Sequence, residues 1–426
     1  MSNEVSNETG STSGVNRRNL LLGGGAGVVG ALSGLAWEPA DAVPAAHEEA
    51  RTRLGWHVPA LWKAAARRSG ILYGSSIATW QIEDDATGKI TDHGYAKLHP
   101  HHAALLFPED DLLWWRLRPT PTSGLDFTHP DRIYAFAEKH RQLVYAGPGL
   151  VWDDGFGDGW TDDDLWNISE KRARHLLYGT LRAVMKRYKG RTAVWPVVNE
   201  AIVNGTDQGH RGLRKDVPWF NTIGPGYVAH AFHEAREADP HGMLLLNDFG
   251  YETVSVYGDR PIDKMRATLK VIDDLQKDGV PLDAFGVQAH LAAQSFHRLF
   301  DAKQYRHFLR ELGARGLHVL ITEMDVLDDG LPKAPHRRDR MIADVYRRYL
   351  DVALESHYVK AVMSFGLTDR YTWLDEDTPR SDGAHRRPLA FDRHLRTKPQ
   401  YHAIYDRLAQ APKRPVPFHF ERHLPR

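Results

Sequence analysis

Two glutamates in this chain end apolar runs, Trp195-Pro196-Val197-Val198-Asn199-Glu200 and His318-Val319-Leu320-Ile321-Thr322-Glu323-Met324-Asp325. Each run stays apolar and rich in β-branched residues, as a buried parallel strand does, and then stops in a carboxyl. A carboxyl where a strand leaves the core sits where barrel enzymes keep their chemistry. Two such groups facing one cleft can divide the work: one donates and recovers a proton, the other attacks as a nucleophile.

Positioning them requires a repeating scaffold. Apolar runs over 71–77, 112–117, 142–146, 193–199, 243–248, 284–289, 318–323 and 361–366 read as strands. Helical periodicity falls between them, over 169–188, 225–238, 262–277, 303–315 and 338–355. Alternation of this kind predicts a single (β/α)8 TIM barrel over 70–411 rather than an open doubly wound sheet. The predicted strand ends then fall in one row: Asn199-Glu200, Asn247-Asp248, Gln288-Ala289-His290, Glu323-Met324-Asp325, and Asp369 leading to Trp373. One polar strand end is an ordinary cap, whereas five in succession on one face imply a site.

Composition narrows what that site handles. The 426 residues are 42% hydrophobic, enough for one large core, and Lys+Arg and Asp+Glu balance at 55 each. A formal net charge of +0 provides no field for nucleic acid or an anionic membrane. Twelve Trp and sixteen Tyr supply flat faces that suit sugar rings as well as cores. No GxGxxG or Walker loop follows a strand, and no His-x-Glu-x-His spacing offers a metal site, so no cofactor or metal is expected. His99, His101 and His102 read as a solvent-titrating cluster. Two glutamates without a metal suit glycosidic cleavage, in which one carboxyl must be protonated and the other ionised.

The ends of the chain read separately. Arg17-Arg18 before a short Gly/Ala/Leu run, with Ala40-Asp41-Ala42 after it, resembles a twin-arginine export signal over 1–42. Residues 43–69 form a lead-in, and 412–426, with Pro412, Pro415 and Pro417, a C-terminal surface extension. The absence of cysteine fits an oxidising destination, periplasmic or secreted. The expected product is a monomer without stable membrane association after signal cleavage.

At this point a resemblance becomes specific. Trp195 to Glu200 is similar to the WDVVNE segment of glycoside hydrolase family 10, the endo-β-1,4-xylanase family, and Ile321 to Asp325 to its ITELD segment. Leu150-Val151-Trp152, Leu246-Asn247-Asp248, Gly286 to Leu291, Gly366 to Trp373 and Pro388 to Asp392 match further, in family order. The resemblance implies a retaining hydrolase of xylan or a related polysaccharide, with Glu200 as acid/base and Glu323 as nucleophile. It implies that Asn199 holds the sugar 2-hydroxyl, that His290 and Asp325 orient Glu323, and that Gln288 lies near Glu200. Trp152, Trp373, Asp110 and Asn247 are the implied substrate contacts.

The departures lie on the side that grips the sugar's non-reducing end. The family's ENxMKW becomes Glu109-Asp110-Asp111-Leu112-Leu113-Trp114, which exchanges Asn for Asp110 and Lys for Leu113. Its RGHTLVWH becomes Ala146 to Asp153, with Pro148 and Asp153 in place of both histidines, and Phe365 replaces a tryptophan. Lost hydrogen-bond partners change selectivity more than a lost methylene does. A decorated hemicellulose or a bacterial exopolysaccharide is therefore an alternative substrate. Exo action, transglycosylation and a glycan-binding barrel without catalysis are also compatible with these residues.

Overall fold

Largely buried runs of two to ten residues form the sheet that the sequence predicts. The computed structural model describes residues 52–204, 209–253 and 260–421. The export-signal reading, 1–42, lies outside the described residues.

The strands are β1 (Leu72–Ile77), β2 (Leu105–Pro108), β3 (Leu143–Val144), β4 (Val194–Asn199), β5 (Met243–Asp248), β6 (Ala284–Val287), β7 (His290–Ala292), β8 (His318–Leu327) and β9 (Val359–Ser364). Their order, β3-β2-β1-β9-β8-β6-β5-β4, is parallel throughout. Parallel bridges from Tyr145 to Val194 and from Val151 to Val198 join the two ends. The result is a barrel of eight strands alternating with helices, and β7 adds a short pairing of His290 with Asp325. Inside, Leu105, Phe107, Tyr145, Leu245, Leu320 and Met363 fill the lumen as a packed core. A second core lies between strands and helices such as Glu170–Tyr188 and Pro261–Lys277.

Three expectations are corrected. The run 112–117 is not a strand: Trp114–Leu117 is one helical turn, and the second strand is Leu105–Pro108. The bulky side chains explain this, because Trp114 packs against Phe156, Trp160 and Trp219 beneath the site loops. His99 and His102 do not titrate in solvent. Both are fully buried in the helix His93–His102, bonded to the carbonyls of Ser75 and Gly55, and burial pushes them down to about 4 and about 3. The tail after Ala409 is more than a surface extension. Arg414 donates to the carbonyls of Leu354, Ser356 and Val359, and Phe420 is fully buried in the lumen core. An open barrel end exposes apolar side chains, and burying one Phe there gains about 1.5–3 kcal/mol.

Candidate active site

At the end of β4 the chain turns sharply, and Glu200 takes a left-handed backbone, φ 56°. Ala289, after β6, does the same at φ 64°. Such positions cost about 1–3 kcal/mol for a non-glycine residue and persist only where the surroundings hold them. Here Glu200 N donates to the Asn247 carbonyl at 2.9 Å, and the Glu200 carbonyl accepts from Arg214 Nη1 at 3.1 Å. Arg214 is itself clamped by Asp153, at 2.8 Å, and by Asp216, at 3.0 Å. The next residues are held by Asp248, which accepts from Ile202 N and pairs with Lys264 at 2.8 Å, both side chains wholly buried.

The two glutamates share one hydrogen-bond network. Glu200 accepts from Gln288 Nε2 at 2.9 Å and from Trp152 Nε1 at 3.1 Å. Glu323 accepts from Asn247 Nδ2 at 2.8 Å and faces His290 Nε2 at 3.3 Å. Asn199 Oδ1 links the halves, receiving Asn247 Nδ2 at 2.9 Å and Gln288 Nε2 at 3.2 Å. Its own Nδ2 is buried with no partner among the described residues. An orphaned donor costs about 1–3 kcal/mol, so a hydroxyl delivered there is recognised strongly.

The environments of the two halves differ. Burial pushes Glu200 up to about 7; the Gln288 bond opposes this, and the charges of Asp248, Asp153 and Glu323 add to it. Burial alone would lower His290, but Asp325 and Glu323 outweigh it and raise it well above its ordinary value. The imidazolium then donates from Nδ1 to Asp325, 2.8 Å away, and from Nε2 toward Glu323. Trp373 Nε1 holds the other Asp325 oxygen at 2.7 Å. One glutamate therefore carries a proton near neutrality, while the other is served by donors.

The predicted residues converge with one change of role. Asn247 is wholly buried and spends its amide on Asn199, Glu323 and Thr322, so it bridges the network and is out of reach of a substrate. Trp152, Trp373 and Asp110 line a cavity of about 760 Å³, together with Trp80, Leu113 and Trp115. Leu113 lies against Gly155, where an added Cβ would meet its Cδ2 at 2.9 Å. Asp110 accepts from Trp80 Nε1 at 2.6 Å. Sequence reasoning missed Arg214 and Lys264 because the buried carboxylates they meet, Asp153 and Asp248, come from other elements of the barrel; Asp153 stood out only as a departure.

A closed (β/α)8 barrel that carries two glutamates and a shared amide and imidazole network at the C-terminal ends of its strands is the layout of a glycoside hydrolase. The sequence pattern of Glycosyl hydrolase family 10 matches residues 62–407, and the chain belongs to that family. It is similar to Endo-1,4-beta-xylanase B of Thermotoga neapolitana, 28% identical over 312 residues that cover 73% of this chain and 82% of that one. Endo-1,4-beta-xylanase C of Paenibacillus barcinonensis is 30% identical over 67% of this chain, which spans only 27% of that longer protein. Among solved structures, xylanase 10B from Thermotoga maritima matches with a TM-score of 0.68 and 27% identity, covering 82% of this chain and 98% of that one. Xylanase 10B from Thermotoga petrophila RKU-1, solved in complex with xylobiose, matches with a TM-score of 0.69 and 26% identity, over 82% and 97%. The chain is thus an endo-1,4-β-xylanase-like glycoside hydrolase.

Proposed function

We propose that this hydrolase cleaves a β-1,4-linked hemicellulose, xylan or a decorated relative, by retaining double displacement. Glu323 attacks the anomeric carbon while Glu200 gives its proton to the departing oxygen, leaving a covalent glycosyl-enzyme. Water then attacks the same carbon, Glu200 takes a proton from it, and the Glu323 ester is released. Asn199 Nδ2 meets the sugar 2-hydroxyl, and Trp152 and Trp373 carry the ring faces. The observation that carries this reading is the single network joining the two carboxyls, with Glu200 raised to about 7 and His290 and Asn247 turned toward Glu323.

A second reading, the same chemistry on another glycan, draws on Leu113 and Asp110 in the cavity wall, where the family's Lys and Asn would grip a sugar. Reducing-sugar release on linear xylan, glucuronoarabinoxylan, mixed-linkage glucan and bacterial exopolysaccharides tests both, with Glu323→Ala as the blank. Release from xylan that the substitution abolishes supports the first reading. Silence on xylan with release from another polymer supports the second. Silence on every polymer sinks the catalytic assignment and leaves a glycan-binding barrel.

A further inference from the structure

Beside the sugar cleft lies a second cavity, of about 430 Å³, whose titratable lining is entirely basic: Lys333, Arg338, His385, Arg386, Arg387 and Arg393. No carboxylate is among its lining residues. The acids that balance these cations, Asp328 and the half-exposed Asp329 at Arg386, Asp339 at Arg387, and Asp375 at Arg393 and His385, stand outside the lining. The wall therefore presents donors.

Arg338 is the telling residue. Its side chain is 2% exposed, and Nη1 has no hydrogen-bond partner among the described residues. Nε has only an ion contact with Asp328 at 3.4 Å, and Nη2 donates to the His385 carbonyl at 3.0 Å. Leaving a buried guanidinium donor unmet is costly unless something supplies the acceptor. A second, independent feature faces the same space. Ala334 and Pro335, which also line the cavity, begin the nineteen-residue helix Pro335–Ala353, and its N-cap Ala334 has no side-chain acceptor to offer. A helix start of that kind presents free N–H groups and a positive dipole end to an anion. Burial lowers the Arg338 pKa, Asp328 offsets part of that, and Arg380 and Arg387 lower it further, a balance that a bound negative charge would relieve.

The cavity adjoins the cleft. Ala384, His385 and Arg393 line both spaces. A group held here can therefore belong to the same molecule that occupies the cleft. We propose that this basic cavity is a subsite for a carboxylate carried by the glycan, such as a uronic acid branch, with Arg338 and the Pro335 helix start as its central donors. This inference rests on the glycan-cleaving reading and names the class of decoration. An acidic side group offsets the hydroxyl contacts given up at Asp110 and Leu113, and it directs the enzyme toward acidic hemicellulose.

The test uses the full chain carrying Glu323→Gln, so that ligands survive, and titration calorimetry with linear xylotetraose and with xylotetraose bearing one glucuronic acid branch. The branched ligand should bind about tenfold tighter at low salt, with the gap closing as salt is raised. Lys333→Gln, at an exposed position, and Arg338→Gln should each pull the branched ligand toward the affinity of the linear one. Equal affinities for the two ligands overturn the proposal. Binding of inorganic sulfate without any preference for the branched glycan overturns it as well, because the site would then serve free anions. If neither glycan binds, the xylan reading fails separately, and free D-glucuronate decides the cavity: a shifted Arg338 Nε–H resonance supports the site, and an unmoved one overturns it.

Discussion

Asp153→Asn reads the acid/base assignment through a nearly buried carboxyl that is paired with Arg214. Asp153 and Arg214 are 9% and 8% exposed and lie 2.8 Å apart, and Arg214 holds the Glu200 carbonyl. Burial raises Asp153 to about 6 even with Arg214 beside it, so near pH 7 it is charged, and that charge helps raise Glu200. Replacing it with Asn removes a negative charge and leaves Arg214 balanced only by the exposed Asp216. At an effective dielectric of about 20, a unit charge on the order of 10 Å away is worth about 1.7 kcal/mol, roughly one pH unit. The sign follows: with less negative charge nearby, ionised Glu200 is easier to form, and its pKa falls from about 7 toward about 6. The acid must be protonated to act, so the alkaline limb of kcat/KM on the best polysaccharide moves down by about that amount. An aryl glycoside with a strongly acidic leaving group needs no proton and loses far less. An alkaline limb that stays in place or moves up, in a folded variant, refutes the reasoning.

Asn247→Ala removes the amide between Asn199 and Glu323, so kcat on polysaccharide should fall by roughly 10²-fold or more while KM changes little, read by steady-state kinetics. Glu109 is pushed up to about 8 by burial, with Asp110 adding to it, above its ordinary value of 4.5. The folded state therefore keeps that proton longer than the unfolded chain, and stability is lost as pH rises from about 4.5 to about 8. Glu109→Gln should flatten that decline, seen as a smaller difference in Tm between pH 5 and pH 8. Phe420→Ala should destabilise the barrel by about 3–5 kcal/mol in a denaturant titration, because the plug side chain is fully buried.

What could be read from the sequence was whatever local chemistry decides. A strand buried on both faces must be apolar along its length, so the runs ending at Asn199, Asp248 and Glu323 identify themselves, and so does the abrupt polar end of each. The strand Leu105–Pro108 escaped because four residues are too few to separate from the longer apolar run at 112–117, whose tryptophans pack under a loop. The same limit hid Arg214 and Phe420. Their roles depend on partners supplied by distant strands and helices, and nothing in their neighbours along the chain encodes a meeting with Asp153 or with the barrel lumen. Asn247 carried the right signal and the wrong role: a polar strand end points to the site, while burial decides whether it meets the substrate.

The central claim is that Glu323 is the nucleophile and Glu200 the acid/base of a retaining reaction. The 2-deoxy-2-fluoro derivative of the disaccharide released from the best substrate, carried on a dinitrophenyl leaving group, traps the covalent intermediate for peptide mass spectrometry. The account predicts one glycosyl adduct, on Glu323, and none in the Glu323→Ala variant. An adduct on another residue, or turnover of the natural substrate that releases the inverted anomer first, contradicts it.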